Sequence, residues 1–192
     1  MVSVNSTMLA LGTRAPDFTL PDPRGQLWRL EEHAADRPVL VAFICNHCPY
    51  VKHIGHELAR ATRRWLDIGV GVVGINSNDV DTHPDDAPDK MLMTAAEYAW
   101  PFPYLIDDDQ SVARAYRAAC TPDFFLFDDG HRLVYRGQFD DSRPRNDVPV
   151  TGADLEAAVQ AVREGREPPA DQRPSMGCNI KWKPGNEPDY FG

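Results

Sequence analysis

Val39-Leu40-Val41-Ala42-Phe43-Ile44-Cys45-Asn46-His47-Cys48-Pro49-Tyr50 is the stretch from which the rest of the chain is read. Its first half is an unbroken apolar run, the pattern of a strand buried on both faces. A Cys-x-x-Cys pair and a proline follow. Then Val51, Ile54, Leu58, Ala61, Thr62, Trp65 and Leu66 recur at helical spacing, with Lys52, His56, Arg60, Arg63 and Arg64 between them. Pro49 suits a first turn, where no N–H partner is needed. The pair therefore sits where a buried strand hands over to a helix N-terminus. Free backbone N–H groups and the positive end of the dipole favour thiolate over thiol there. His47 can add positive charge and lower the thiol pKa further. Two intervening residues let both sulfurs meet on one turn as a disulfide, so the chain is expected to exchange disulfides.

Working outward, Gly69 stops the helix and residues 70–76 form a second buried strand. That is a βαβ unit, hence a parallel pair with a right-handed crossover. Upstream, residues 15–20 and 26–30 flank a Pro/Asp/Gly turn and read as a hairpin. Residues 31–37 read as a short helix or loop. Downstream, residues 77–90 are an acidic, proline-containing loop, and residues 91–100 a helix. Residues 103–106 are extended, and Asp109 caps a helix reaching about Ala118. Thr121-Pro122 precedes an aromatic strand, an Asp128-Asp129-Gly130 turn and a returning strand at residues 132–139. A final helix opens at Thr151-Gly152-Ala153-Asp154. From Glu164 the chain is proline-rich without periodicity.

A chain of 192 residues suits one domain with a full-sized core. A formal net charge of −9 argues against a nucleic-acid partner. The first eleven residues lack a cationic start and a long apolar run, and no later run is long enough to span a bilayer. The expectation is a soluble cytoplasmic protein with no membrane partner. Four cysteines in a reducing compartment point to catalysis or metal rather than a structural framework.

The order strand, Cys-x-x-Cys, helix, strand, helix, Thr-Pro, hairpin, helix resembles the thioredoxin fold. Ala15-Pro16-Asp17-Phe18 is similar to the opening of peroxiredoxins and other redoxins of the alkyl hydroperoxide reductase/thiol-specific antioxidant group. Cys45 to Val51, Cys120-Thr121-Pro122-Asp123-Phe124-Phe125 and Gly177-Cys178-Asn179-Ile180-Lys181-Trp182 resemble the bacterial peroxiredoxin-like proteins with a thioredoxin-type Cys pair. The resemblance implies an α/β fold with a central mixed sheet flanked by helices, an N-terminal hairpin and an irregular C-terminal tail. It implies one domain over residues 1–192, with a core at about 12–165 and a tail at 166–192 packing on it. It also implies a cis bond at Thr121–Pro122, facing the Cys pair and leaving the Thr121 backbone open to an extended substrate. Two departures stand out. Val39 occupies the place of the thioredoxin buried Asp. In the peroxiredoxin pattern Pro-x-x-x-Thr-x-x-Cys, matched onto Cys48, Val41 replaces the proline and Cys45 the threonine; the activating Arg falls near Pro122. The groups that polarise a peroxide are missing while a partner thiol is present.

The leading expectation is a thiol–disulfide oxidoreductase. Cys45, taken as the more exposed sulfur, attacks, and Cys48 displaces the captured partner. The alternatives are a thiol-dependent peroxidase using Cys48, and a zinc or copper(I) protein using Cys45, Cys48, Cys120 or Cys178 with His47. The redox reading needs no cofactor and no metal. Its partners are protein or small-molecule disulfides, with peroxides as an alternative, and an external thiol reductant. Cys120 and Cys178 are candidate accessory thiols, against core packing for the first and an undocked tail for the second. Trp182 is expected to anchor the tail. Asp79, Asp81, Asp85, Asp86 and Asp89 read as a solvated loop, His53 and His56 as surface residues. Arg136, Arg143 and Arg145 read equally as anion ligands or solvent-facing charges.

Overall fold

The structure, a computed structural model, describes residues 3–191. Its centre is strand β4, Val39–Phe43, in which all five residues are buried. β4 pairs in parallel with β5 (Gly71–Asn76) and β5 in parallel with β6 (Tyr104–Ile106). On its other side β4 pairs antiparallel with β8 (Asp123–Phe127), and β8 with β9 (Leu133–Gly137). The mixed sheet thus runs β6-β5-β4-β8-β9. Side chains of a strand alternate between faces, and β4 divides accordingly. Leu40 and Ala42 join Leu58, Trp65, Leu155 and Ala158 in one buried cluster. Val39, Val41 and Phe43 join Tyr116, Phe125 and Phe127 in the other.

Helix α2, Pro49–Asp67, follows the Cys pair and buries Val51, Ile54, Leu58, Ala61, Thr62 and Trp65 against the first cluster. Gly69, in the left-handed region at φ 86°, ends it by donating its N–H to Leu66 O at 3.0 Å. The remaining helices are α1 (Leu30–Ala34), α3 (Pro88–Tyr98), α4 (Ser111–Ala115) and α5 (Ala153–Arg163). The hairpin is shorter than its sequence pattern, with β2 at Thr19–Pro21 and β3 at Leu27–Arg29. Helix α3 starts three residues earlier than its apolar spacing suggested, because Pro88 supplies the preset φ of a first turn. Among the described residues no helix is long and apolar enough to cross a membrane.

The termini are less expected. β1 (Ser3–Asn5), β10 (Met176–Asn179) and β7 (Cys120–Thr121) form a second, antiparallel sheet in the order β1-β10-β7. The tail therefore contributes the inner strand of this sheet. Ile180 and Trp182 then bury into the second core cluster, as the tail-anchoring role of Trp182 requires.

Asp123, at the start of β8, is fully buried, and only one of its carboxylate oxygens is hydrogen-bonded. Burial lifts its pKa to about 8, against the pull of the Ala119, Phe124 and Cys120 N–H groups. The folded chain thus holds a proton that the unfolded chain releases near pH 3.8. Stability from this group is complete below that pH, declines as pH rises, and is lost beyond the folded pKa. Urea denaturation of Asp123→Asn and wild type at pH 5, 7 and 9 should show the variant gaining on wild type up to about pH 8. The steepest gain expected is about 1.4 kcal/mol per pH unit. A gap independent of pH would contradict this assignment.

Candidate active site

Cys45 lies just beyond β4, where Ile44 still donates its N–H to Ile75 O at 2.9 Å. Cys48 is the N-cap residue of α2, with Pro49 at the first helical position. Facing both is the cis Thr121–Pro122 bond. Thr121 touches each sulfur: its Oγ1 lies 3.2 Å from Cys45 Sγ and its carbonyl oxygen 3.1 Å from Cys48 Sγ. Cys45, Cys48, His47, Thr121 and Pro122 are thus gathered at one place.

Both sulfurs are buried, at 0% exposure for either residue, which corrects the expectation that Cys45 would be the exposed one. On the Cys48 side the tail contributes to the cover. β10 pairs with β7 so that Cys178 stands opposite Thr121 and Asn179 opposite Cys120. The backbone edge expected to be open to a substrate strand is already occupied. The register leaves no room for a side chain at residue 177, where an added Cβ would lie 2.0 Å from Thr121 O. Gly177 lets the strand seat and puts the Cys178 sulfur against that of Cys48.

The two thiols are shifted in opposite directions. Cys45 is held well above the ordinary thiol range, first by burial, then by contact with Cys48 and by the Asp86 charge. Cys48 is held low. Contact with the Cys178 thiol is the largest cause, then contact with Cys45; the Val51 N–H of α2 assists, and burial opposes. The Thr121 carbonyl also opposes, since it can accept the Cys48 S–H but not stabilise a thiolate. The Cys178 backbone N–H is a fourth group that pulls down, and together the four lower the Cys48 pKa. Cys178 is pushed up by the same contact, while Lys181 pulls it down.

His47 is hydrogen-bonded to Asp86, its Nδ1 lying 2.7 Å from Asp86 Oδ2, and its ring stacks on His83 with centroids 5.4 Å apart. Asp86 is fully buried, so the acidic stretch is not a solvated loop throughout; Asp79 is buried as well. Asp86 accepts the Asn46 N–H at 2.8 Å and the Asn78 amide at 2.7 Å. Tyr104 donates its hydroxyl to Asn46 Oδ1 at 3.1 Å. Asp86 is therefore the post on which the Cys45–Cys48 loop is tied, and periodicity around Pro84 and Pro88 gives no sign of it. The donor atoms of Cys45, His47 and Asp86 lie within 4.8 Å of one another and form a potential metal-ligand group. That set shares Cys45 and His47 with the alternative metal reading and has Asp86 in place of the other cysteines, and two of its members already bond each other.

Cys120 is buried, its sulfur 3.5 Å from Pro122 O and its thiol pushed up by burial, Asp123 and Cys48. His53 is half-buried beside Pro122 and lines a cavity of about 20 Å³ with Tyr50 and Arg143; His56 is exposed. Arg143 is spent on Asp140 O, Ser142 O and Gln138 Oε1, and Arg136 on Leu9 O and Gln172 Oε1. Both side chains are thus held by bonds within the protein; Arg145 is exposed.

A buried strand delivering two cysteines to a helix opposite a cis-proline places the chain among the thioredoxin-fold oxidoreductases. Residues 11–136 match the AhpC/TSA family, and the chain belongs to that family. The match ends before α5 and β10, so the covering strand lies outside it. A crystal structure of an uncharacterized conserved protein from Geobacillus kaustophilus is 51% identical, covers 96% of this chain and 98% of its own, and superposes with a TM-score of 0.94. A hypothetical protein from Sinorhizobium meliloti 1021 is also 51% identical, over 94% of this chain and 99% of that one, with a TM-score of 0.92. The thioredoxin domain of a thiol-disulfide oxidoreductase from Bacteroides vulgatus shares the fold at 20% identity, over 79% of this chain and 99% of that one, with a TM-score of 0.60. No curated protein matches the chain.

Proposed function

We propose that this oxidoreductase exchanges disulfides by cycling Cys45 and Cys48 between dithiol and disulfide, and that Cys48 makes the first attack. The observation that carries this reading is the Cys48 sulfur at the N-cap of α2, its charge supported by two neighbouring thiols and a backbone N–H. A thiolate so placed attacks one sulfur of a disulfide and expels the other as a thiolate, leaving a mixed disulfide on Cys48. Cys45, on the same turn, can then displace the captured group. An external thiol restores the dithiol.

The occupied edge at Thr121 favours small-molecule disulfides over extended protein strands. Because both sulfurs are covered, reaction waits on a local opening of the tail. A second reading, peroxide reduction at Cys48, is favoured by the same low-lying thiolate. Against it, Val41 and Cys45 replace the residues that polarise a peroxide in the family pattern.

The test is to equilibrate the protein with graded ratios of reduced and oxidised glutathione, alkylate it, and locate the blocked thiols by mass. The expected result is one two-electron transition in which Cys45 and Cys48 are lost to alkylation together. Full alkylation of both at every ratio would overturn the reading. Parallel samples with hydrogen peroxide decide between the two oxidants.

A further inference from the structure

We propose that the groove between α2 and α3 binds one half of the disulfide substrate, a zwitterionic peptide of about tripeptide size. The proposal deepens the reading of the Cys pair as a disulfide-exchanging site for small molecules, and it rests on that reading. The groove encloses about 330 Å³, within the range of small-molecule sites. Asn46 and His47, the two residues between the cysteines, line one end of it. Lys52 also lines it, one helical turn from Cys48, to whose carbonyl it donates its N–H at 3.0 Å. β10 occupies the Thr121 side of the site. A ligand in this groove instead lies against the loop that carries both sulfurs.

The wall is preformed. Tyr98 of α3 packs against Gly55 of α2 so closely that an added Cβ there would lie 2.6 Å from the Tyr98 ring. Tyr98 stacks on Trp100 with centroids 5.4 Å apart, and the Trp100 indole N–H donates to Gly55 O at 3.1 Å. One aromatic side chain of the groove is thereby held in place. Beside it Met93, 62% exposed, offers a soft apolar contact for a ligand's methylenes and sulfur.

Charge sets the ligand's chemistry and length. Lys90, Thr94 and Glu97 line the groove at i, i+4 and i+7 of α3, hence on one helix face. Seven residues of helix separate Lys90 from Glu97 by about 10 Å. About three extended residues cover that span. A ligand that pairs with both ends carries a carboxylate for Lys90 and an ammonium for Glu97. Lys52 adds a second cation at the carboxylate end, and the N-termini of α2 and α3 add positive dipole ends there. Asp85 also lines that end and opposes them. Among the described residues Lys52 forms no ion pair, and that of Lys90 is a loose one with its neighbour Asp89 at 3.9 Å. Both ammonium groups are therefore open to a ligand.

The test is isothermal titration of the full-length reduced chain with S-methylglutathione, which has the charges of this class but no free thiol to exchange. Saturable binding at one site per chain is expected. Lys90→Gln/Glu97→Gln, which changes two exposed side chains, should bind about tenfold more weakly. N-Acetylation of the ligand removes its ammonium, so it should weaken binding to wild type but not to Glu97→Gln. Absence of saturable binding, equal affinity in wild type and the double variant, or an acetylation penalty that persists in Glu97→Gln would each overturn the proposal. A parallel sample of wild type receives oxidised glutathione. If the analogue binds as expected but no thiol is released from oxidised glutathione, the groove stands and the fault lies with the exchange reading.

Discussion

Cys48→Ser is expected to abolish turnover, with a loss of at least about 10³-fold, since a hydroxyl at this N-cap stays protonated where a thiol ionises. Cys45→Ser should behave differently. It retains the thiolate at Cys48, so a single turnover with oxidised glutathione proceeds at close to the wild-type rate. Steady-state turnover then falls, because the chain can no longer reach its Cys45–Cys48 resting form. The expectation follows from the proposed role of Cys48 as the attacking sulfur. Burial and Asp86 hold Cys45 up, while Cys178, Cys45 and the Val51 N–H hold Cys48 down. Stopped-flow measurement of the first turnover separates the two variants. Loss of the first turnover in Cys45→Ser, with retention in Cys48→Ser, would restore Cys45 as the attacking sulfur.

Asp86→Ala is expected to cost about 3 kcal/mol in unfolding free energy. The carboxylate is fully buried and holds the Asn46 N–H, the Asn78 amide and His47 at once, so truncation orphans three polar groups. Burial alone would raise the Asp86 pKa, but the bonds from His47 and Asn78 overcome it and bring the group below its usual 3.8. Its contribution to stability is therefore complete above that value and is lost as pH falls through the lower, folded pKa. Chemical denaturation at pH 7 should show the full gap between variant and wild type. At pH 3 the gap should narrow. A gap that widens on acidification would show that the carboxylate is not what ties the loop. The same change also removes a charge that opposes ionisation of Cys45, so its alkylation in the unfolding-resistant fraction should become faster.

Where a short signal carries the physics, the sequence is sufficient. The unbroken apolar run at Val39–Phe43 can only be a strand covered on both faces, and Cys45, Cys48 and Pro49 follow it closely enough to fix the helix start. Thr121 and Pro122 sit opposite the pair as the resemblance implied. What could not be read depends on partners distant in the chain. Asp86 looks like any acid in a polar loop until Asn46, 40 residues away, donates to it. Cys178 lies in a stretch with no periodicity because β10 is short and sandwiched between β1 and β7, so its side-chain pattern reports neighbours rather than itself. The burial of Cys45 likewise depends on partners distant in the chain, Thr121 and Asp86, and not on the motif.

The position of β10 in the chain has a consequence for how the protein is made. Ribosomes deliver a polypeptide from its amino end, so the strand bearing Cys178 emerges after the βαβ unit, the cis-proline turn and α5. Until then the nascent chain carries Cys48 without its Cys178 neighbour, so a strand translated some 130 residues later completes the surroundings of that sulfur.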